Sequence, residues 1–338
     1  MTSEEWTEGV WRVTGRQGKG GEVETCFLID CGDELALVET GQGEKMGRAV
    51  LQTIAGVGRS TSELTHIFLT HSHPYVLGGL GTIVAAVPDV KVMVQEAAKP
   101  VFEEGKSYVM EKQFPLGSKG GKLALAWKTD VFANYDTLKS IEPTFVGLSD
   151  DVQVGDETFI LQGTGGHSAD SLLIHAYQRK STFVGDELGL YDHNEYSFYC
   201  DLTGKPENRV KALRMCSKLN TNYVFPTHLS PVERGFLDEE VEQAILAQQH
   251  FETTLLETLM GYDNARLDRL VDHVYQVLHV DWKSPFDALQ VGTATITQFL
   301  EGLVRQDKVL YDEKTKRYKF NREELDPEYD PYAGIYDV

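Results

Sequence analysis

Two histidines one residue apart, His71 and His73, follow an apolar and β-branched run of the sequence. An imidazole nitrogen is a good ligand for zinc, iron and related ions. Both rings can turn to the same side if the loop that carries them twists. The pair alone is weak evidence for a metal site, because two histidines in a core or on a surface give the same pattern.

Three further side chains that can bind a metal occupy comparable places. His167 follows two glycines, Asp186 follows Gly185, and His228 follows a proline and a threonine. Each lies in a turn directly after a predicted strand. Because strand ends on one edge of a sheet converge, we expect these loops to share one ion rather than to hold unrelated polar groups.

Such a site predicts hydrolysis as the reaction. A metal ion with three imidazole ligands and an open position lowers the pKa of bound water from about 16 to about 7 and polarises a carbonyl oxygen. Asp186 would hold the ion and accept a proton from the water. His228 or Tyr75 would stabilise the developing oxyanion or protonate the leaving group. The bonds that fit are those of esters, thioesters, lactones and amides.

The loops that carry the candidate ligands must be positioned by strands, and the sequence predicts strands on both sides of the candidate site. The β–loop–helix–β order around His71 is typical of a layered α/β protein. The predicted strands are Val10–Thr14, Cys26–Ile29, Leu35–Glu39, His66–Thr70, Val90–Val94, Asp151–Val154, Thr158–Leu161, Leu172–Tyr177, Thr182–Val184 and Tyr223–Phe225, with a helix over Glu44–Ile54 and another toward Val87. Residues 102–149 are interpreted as an insertion of helices and loops, either capping a pocket or forming a surface excursion.

The sequence from about residue 8 to 235 resembles the metallo-β-lactamase superfamily. The first motif of that family is T-H-x-H-x-D-H-x-G-G, and residues 70–79 here read T-H-S-H-P-Y-V-L-G-G. The turn Glu39-Thr40-Gly41 is similar to the family's early D-T-G turn, with Glu39 in place of aspartate. The resemblance implies an α+β fold, the four-layer αββα sandwich, for residues 1–235.

By this resemblance, His71, His73 and His167 would form the first metal site, Asp186 would bridge, and His228 would belong to a second site. The aspartate and histidine of the family motif are Tyr75 and Val76 here. Valine cannot coordinate a metal, so we expect one ion, zinc or alternatively iron or manganese. A second ion with Tyr75 as a phenolate ligand is the alternative.

After Arg234 the predicted elements are mainly helices, and residues 236–325 are interpreted as a second region. Helical patterns cover Asp238–Met260, Arg266–His279 and Ala294–Gln306, and a hairpin is predicted from Lys308–Tyr311 and Arg317–Phe320. This plan is similar to thioesterase-type members of the family and to lactamase-like proteins with a C-terminal winged helix. Residues 326–338 read as an acidic tail.

Composition limits the partners. The 338 residues carry a formal net charge of −20, which argues against non-specific binding to nucleic acids or anionic membranes and favours a small-molecule substrate. No run has the roughly 18 apolar residues of a membrane helix. The first residues lack a basic signal region, and the four cysteines form no C-x-x-C pair, so we expect reduced core thiols in a cytoplasmic protein. A homodimer through the C-terminal helices is a further expectation.

Several polar residues near these motifs have simpler interpretations. We expect His66 to be structural or to support a ligand, and His175 to be packed in a strand. His193 is a candidate pocket residue, and Asp170 either orients a ligand imidazole or caps its own turn.

Two alternatives to the hydrolase remain open at this point. The same fold also carries iron centres that handle oxygen or nitric oxide, although no flavodoxin-like domain follows here. The replacement of two family ligands by Tyr75 and Val76 also fits a degenerate member that binds a ligand without turnover.

Overall fold

The computed structural model describes residues 1–16, 23–113, 135–189, 196, 198–262, 264–280 and 291–322. Its first sheet has seven strands in sequential order. The first four pair antiparallel, and from the fourth onward the pairs are parallel. The strands are β1 Thr2–Thr7, β2 Val10–Arg16, β3 Val23–Cys31, β4 Glu34–Val38, β5 Leu64–Phe68, β6 Lys91–Gln95 and β7 Thr144–Val146.

The second sheet has six strands in the order β13-β12-β11-β10-β9-β8. Only β11 and β12 pair in parallel among these described strands. The strands are β8 Ser149–Val154, β9 Glu157–Gly163, β10 Leu172–Ala176, β11 Ser181–Gly185, β12 Tyr223–Pro226 and β13 Val232–Glu233.

Helices cover the outer faces of the two sheets. The helices are α1 Glu44–Gly56, α2 Pro74–Leu77, α3 Leu80–Ala86, α4 Lys99–Glu104, α5 Lys106–Tyr108, α6 Pro206–Lys218, α7 Arg234–Gly261, α8 Leu267–Val277 and α9 Thr293–Arg305. None of the helices in these described ranges has the length and hydropathy of a membrane-spanning segment.

The buried side chains explain the layering. In β3, Cys26 and Leu28 pack toward α1, whereas Phe27 and Ile29 face the second sheet, as the two-residue period of a strand requires. On the far side, β10 to β12 pack against α6 and α7, for example Val184 with Leu213. The prediction of an α+β, four-layer αββα sandwich with a C-terminal helical extension is therefore confirmed.

Beyond β13, the helices α7, α8 and α9 form a separate apolar cluster that includes Phe251 and Phe299. A small sheet joins it, in the order β14-β16-β15, from β14 Ala265–Arg266, β15 Val309–Asp312 and β16 Arg317–Phe320. The predicted helices and hairpin are thus present, and the name winged helix for this region stays a prediction. The acidic tail, residues 326–338, lies outside the described residues.

Several elements escaped the sequence prediction, among them the short strands β7, β13 and β14, and β7 lies in the segment that was interpreted as helices and loops. Strand β1 reads T-S-E-E-W-T and is mostly exposed, so it shows no alternation of polar and apolar residues. Helix α6 begins at Pro206 and buries Arg209, Ala212, Leu213 and Cys216. This helical spacing after a proline is a signal that could have located it.

Candidate metal centre

The four loops that carry the candidate ligands meet at one edge of the sandwich. His71 and His73 follow β5, His167 follows β9, Asp186 follows β11 and His228 follows β12. Ligand atoms of His71, His73, His167 and Asp186 all lie within 4.8 Å of one another, and the four residues are buried. The loops therefore converge as the sequence predicted.

Each of the three imidazoles is held through the nitrogen that faces away from this cluster. His73 Nε2 donates to Asp201 Oδ2 at 3.0 Å, and His167 Nδ1 donates to the Tyr199 carbonyl oxygen at 2.8 Å. His71 Nδ1 lies 3.0 Å from Thr70 Oγ1. Such partners fix the tautomer and orientation of metal-binding histidines.

The imidazole nitrogens that face the cluster lie close to one another and to the Asp186 carboxylate. His167 Nε2 lies 3.0 Å from His73 Nδ1 and 3.3 Å from Asp186 Oδ2. The opposite nitrogens of His73 and His167 donate to Asp201 and to the Tyr199 carbonyl oxygen, so the two facing nitrogens are the ones placed to coordinate a cation beside the carboxylate.

Two buried polar atoms at this cluster also lack a hydrogen-bond partner among the described residues. They are His71 Nε2, which lies 3.3 Å from Asp186 Oδ2, and Asp186 Oδ1. Leaving such atoms unsatisfied costs about 1–3 kcal/mol each. Three imidazoles and one carboxylate form the donor set of a zinc or related divalent ion, so the residues present fit a metal.

The pKa values are consistent with metal donors. Burial lowers the pKa of His71, and it lowers the pKa of His167 to about 3, so both rings are neutral at pH 7. Burial alone would raise the pKa of Asp186, but the neighbouring His228, His71 and His167 outweigh it and keep the pKa below its ordinary value. Asp186 is therefore an ionised carboxylate.

Glu39, the residue that replaces aspartate in the family turn, supports the first histidine loop. Its carboxyl group accepts hydrogen bonds from the hydroxyl and the backbone N–H of Thr70. Burial raises the pKa of Glu39 to about 8. Its backbone lies in the left-handed region with φ 67°, a strained conformation for a non-glycine residue.

Gly185 permits the close approach of the Asp186 loop. Its φ is +55°, and a Cβ atom there would lie 2.5 Å from Thr70 Oγ1. Any larger residue would push the Asp186 loop away from the Thr70-His71 loop.

The predicted catalytic residues border the cluster on one side. The Tyr75 hydroxyl donates to Asp186 Oδ2 at 2.7 Å and lies 2.9 Å from His73 Nδ1. His228 Nε2 is 3.5 Å from Asp186 Oδ1, and the His228 ring is 4.7 Å from the Tyr75 ring. The Tyr75 hydroxyl therefore contacts His73 and Asp186 of the cluster, and the His228 imidazole lies beside Asp186.

Val76 is fully buried in the apolar core between the first sheet and its helices. Its carbonyl oxygen accepts hydrogen bonds from the Thr40 backbone N–H at 2.7 Å and from the Thr40 hydroxyl at 2.8 Å. The position that is a histidine ligand in the family motif serves packing here.

The remaining sequence candidates have hydrogen-bond partners outside the cluster or lie outside the described residues. His66 bonds Thr65, and His175 bonds Thr182 inside its sheet, which agrees with structural roles. Asp170 accepts from the Ser168 hydroxyl at 2.7 Å and so stabilises its own turn. His193 lies outside the described residues. All four cysteines are free and buried, as predicted.

Two acidic residues at the site were missed. Asp201 orients His73 from 128 positions away in sequence. The buried Glu187 accepts from the Thr164 hydroxyl at 2.5 Å and from the His167 backbone N–H at 3.3 Å. Glu187 directly follows Asp186, and Asp201 precedes a Leu-Thr-Gly turn, but neither pattern points to a metal centre by itself.

Comparison with known proteins gives a family. The model of the metallo-beta-lactamase superfamily matches residues 20–228. No curated protein matches the sequence. A solved metallo-beta-lactamase family protein from Thermus thermophilus is 16% identical, with a TM-score of 0.67, and the match covers 94% of this chain and 100% of that one. A beta-lactamase domain protein from Burkholderia ambifaria is 15% identical, with a TM-score of 0.64 and 94% of both chains covered.

Proposed function

The chain belongs to the metallo-β-lactamase superfamily, and on that premise we propose that it is a metal-dependent hydrolase with one divalent ion on His71, His73, His167 and Asp186. The observation that carries the proposal is geometric: ligand atoms of these four buried residues all lie within 4.8 Å of one another, with His73 Nδ1 and His167 Nε2 3.0 Å apart. One ion fits better than two because Val76 offers no ligand.

We assign a separate role in the reaction to each of three side chains at the site. A divalent ion at this site supplies a Lewis acid that activates water at neutral pH and polarises a carbonyl oxygen. Asp186 Oδ1 is the acceptor for a proton from the attacking water. The Tyr75 hydroxyl can turn from Asp186 toward the developing oxyanion, and His228 can protonate the leaving group.

A small acyl compound is the substrate class we propose, a thioester, ester or lactone. The resemblance to thioesterase-type members supports this choice. The net charge of −20 favours a small molecule over a nucleic acid as the partner.

Metal analysis of the purified protein is the first test. We expect about one equivalent of zinc or manganese in the wild type, and much less in His71→Ala. Iron at the same stoichiometry would favour redox chemistry, and the absence of any bound metal under all loading conditions would favour a non-catalytic binding protein.

A panel of thioester, ester and lactone substrates is the second test. The wild type should turn over at least one class far faster than His71→Ala. His250→Ala is a matched control, because His250 lies outside the cluster and bonds the Tyr196 hydroxyl. Equal, slow rates for the wild type and His71→Ala on every substrate would contradict the hydrolase.

A further inference from the structure

The loop of residues 198–205 contacts two of the candidate ligands. Asp201 accepts from His73 Nε2, and the Tyr199 carbonyl accepts from His167 Nδ1. The Asp201 backbone N–H donates to the His167 carbonyl at 2.9 Å, and the Tyr199 ring stacks on the His73 ring. The position of this loop therefore sets the orientation of both imidazoles.

Asp201 is held in place on its other side as well. Its Oδ1 accepts from the Thr203 backbone N–H and hydroxyl, both at 2.7 Å, and from the Gly204 backbone N–H at 2.9 Å. The side chain is completely buried. With both oxygens engaged, the carboxylate cannot rotate away from His73 without breaking several hydrogen bonds.

The outer side of the same loop is attached to the C-terminal region. The Cys200 backbone N–H donates to Thr295 Oγ1 at 3.3 Å, and Gln298 Nε2 donates to the Leu202 carbonyl at 3.1 Å. Thr295 and Gln298 lie on α9 and are buried. These two bonds bracket Asp201 in the sequence.

Aromatic packing joins the same elements. Phe198, at the start of the loop, packs against Phe251 of α7 with ring centroids 5.2 Å apart and against Phe299 of α9 at 5.8 Å. The C-terminal helices therefore bury one side of the loop while the other side faces the candidate ligands.

We propose that helix α9 is a structural part of the metal centre: Thr295 and Gln298 fix the 198–205 loop so that Asp201 orients His73, and they thereby set the affinity for the ion. This inference rests on the proposed metal site. Asp201, Thr295 and Gln298 are positioning residues, since they act through His73.

The test is the affinity of the whole protein for Zn²⁺ and Co²⁺, measured in competition with a chromophoric chelator, together with the visible spectrum of the Co²⁺ form. Asp201→Asn should weaken binding by roughly 10–100-fold, the usual effect of losing such a support. Thr295→Val and Gln298→Leu should each weaken it by roughly fivefold, the worth of one hydrogen bond. All three should shift the Co²⁺ bands.

Thr258→Val is the matched control for Thr295→Val. Both threonines are buried in C-terminal helices and bond the carbonyl four residues earlier, at 2.8 Å from Thr258 and 2.9 Å from Thr295. Thr258 has no bond to the 198–205 loop among the described residues. Thr258→Val should lower the thermal midpoint without changing the affinity, and Thr295→Ser, which keeps the hydroxyl, should bind as the wild type does.

The results distinguish a wrong role for α9 or Asp201 from a wrong proposed function. If the wild type binds Zn²⁺ and Co²⁺ but the Thr295 and Gln298 variants bind equally tightly, the role of α9 is wrong. If Asp201→Asn also leaves affinity and spectrum unchanged, the positioning role of Asp201 is wrong as well. A wild type that binds no divalent ion overturns the proposed function, and this inference with it.

Discussion

The two sides of the candidate metal cluster differ in how firmly their polar groups are held. On one side, each of the three imidazoles has a partner for its outward nitrogen, from Asp201, Tyr199 or Thr70. On the other side, the two family ligands are replaced by Tyr75 and Val76, and His228 lies at ion-pair distance from Asp186. The first side has the donor set of an ion site, and we propose that the second side acts on the substrate.

Removing a ligand on the first side should have the largest effect. A four-ligand zinc site contributes about 10–16 kcal/mol in total, so His167→Ala should weaken metal binding by roughly a hundredfold or more and abolish turnover at limiting metal. Equilibrium dialysis followed by metal analysis measures this. Wild-type affinity in His167→Ala would remove the distinction between the two sides.

His228→Ala should lower kcat by roughly 100–10,000-fold, the range for a lost general acid or base, while about one equivalent of metal stays bound. Steady-state kinetics on the best substrate, with metal content measured on the same sample, separates the two effects. Loss of the metal along with activity would make His228 a ligand of the first site instead.

Tyr75→Phe is expected to lower kcat by roughly 100-fold, the usual effect of removing one oxyanion donor, with metal affinity nearly unchanged. The control is the KM, which should stay within a few-fold of the wild-type value. A drop in affinity of more than about tenfold would show that the phenol coordinates an ion, and would favour the dinuclear alternative.

The smallest effect concerns Glu24, a buried carboxyl on the His228 side. Burial raises the pKa of Glu24 from 4.5 to about 7, against the Gln42 backbone N–H and His228, which lower it. A raised pKa in the folded state means that stability is full below about pH 4.5 and falls as the pH rises through about 7. Glu24→Gln should remove this loss. The free energy of unfolding of Glu24→Gln, relative to that of the wild type, should therefore increase by about 2 kcal/mol between about pH 5 and pH 8.

Urea denaturation of both proteins at several pH values measures that difference. Glu240→Gln, at an exposed position, is the control and should follow the wild type at every pH. Parallel curves for Glu24→Gln and the wild type would show that Glu24 ionises freely in the folded protein.

Local patterns in the amino-acid sequence were enough to predict the sheets and the loops that carry the candidate ligands. The apolar runs of β3 and of the strands that precede His71, Asp186 and His228 are local features of the sequence, and a strand prediction depends on such features. Candidate metal ligands at strand ends were therefore predictable, together with the departure at Tyr75 and Val76.

The groups that support those ligands became visible only in the folded chain. Asp201 meets His73 across 128 positions, and Thr295 meets Cys200 across 95, both through loops whose course no period encodes. Val76 is likewise assigned to the core by what surrounds it. Hydrogen bonds between distant segments depend on how whole layers pack. The residues that determine this packing are spread over the chain, so the sequence around either partner does not predict the bond.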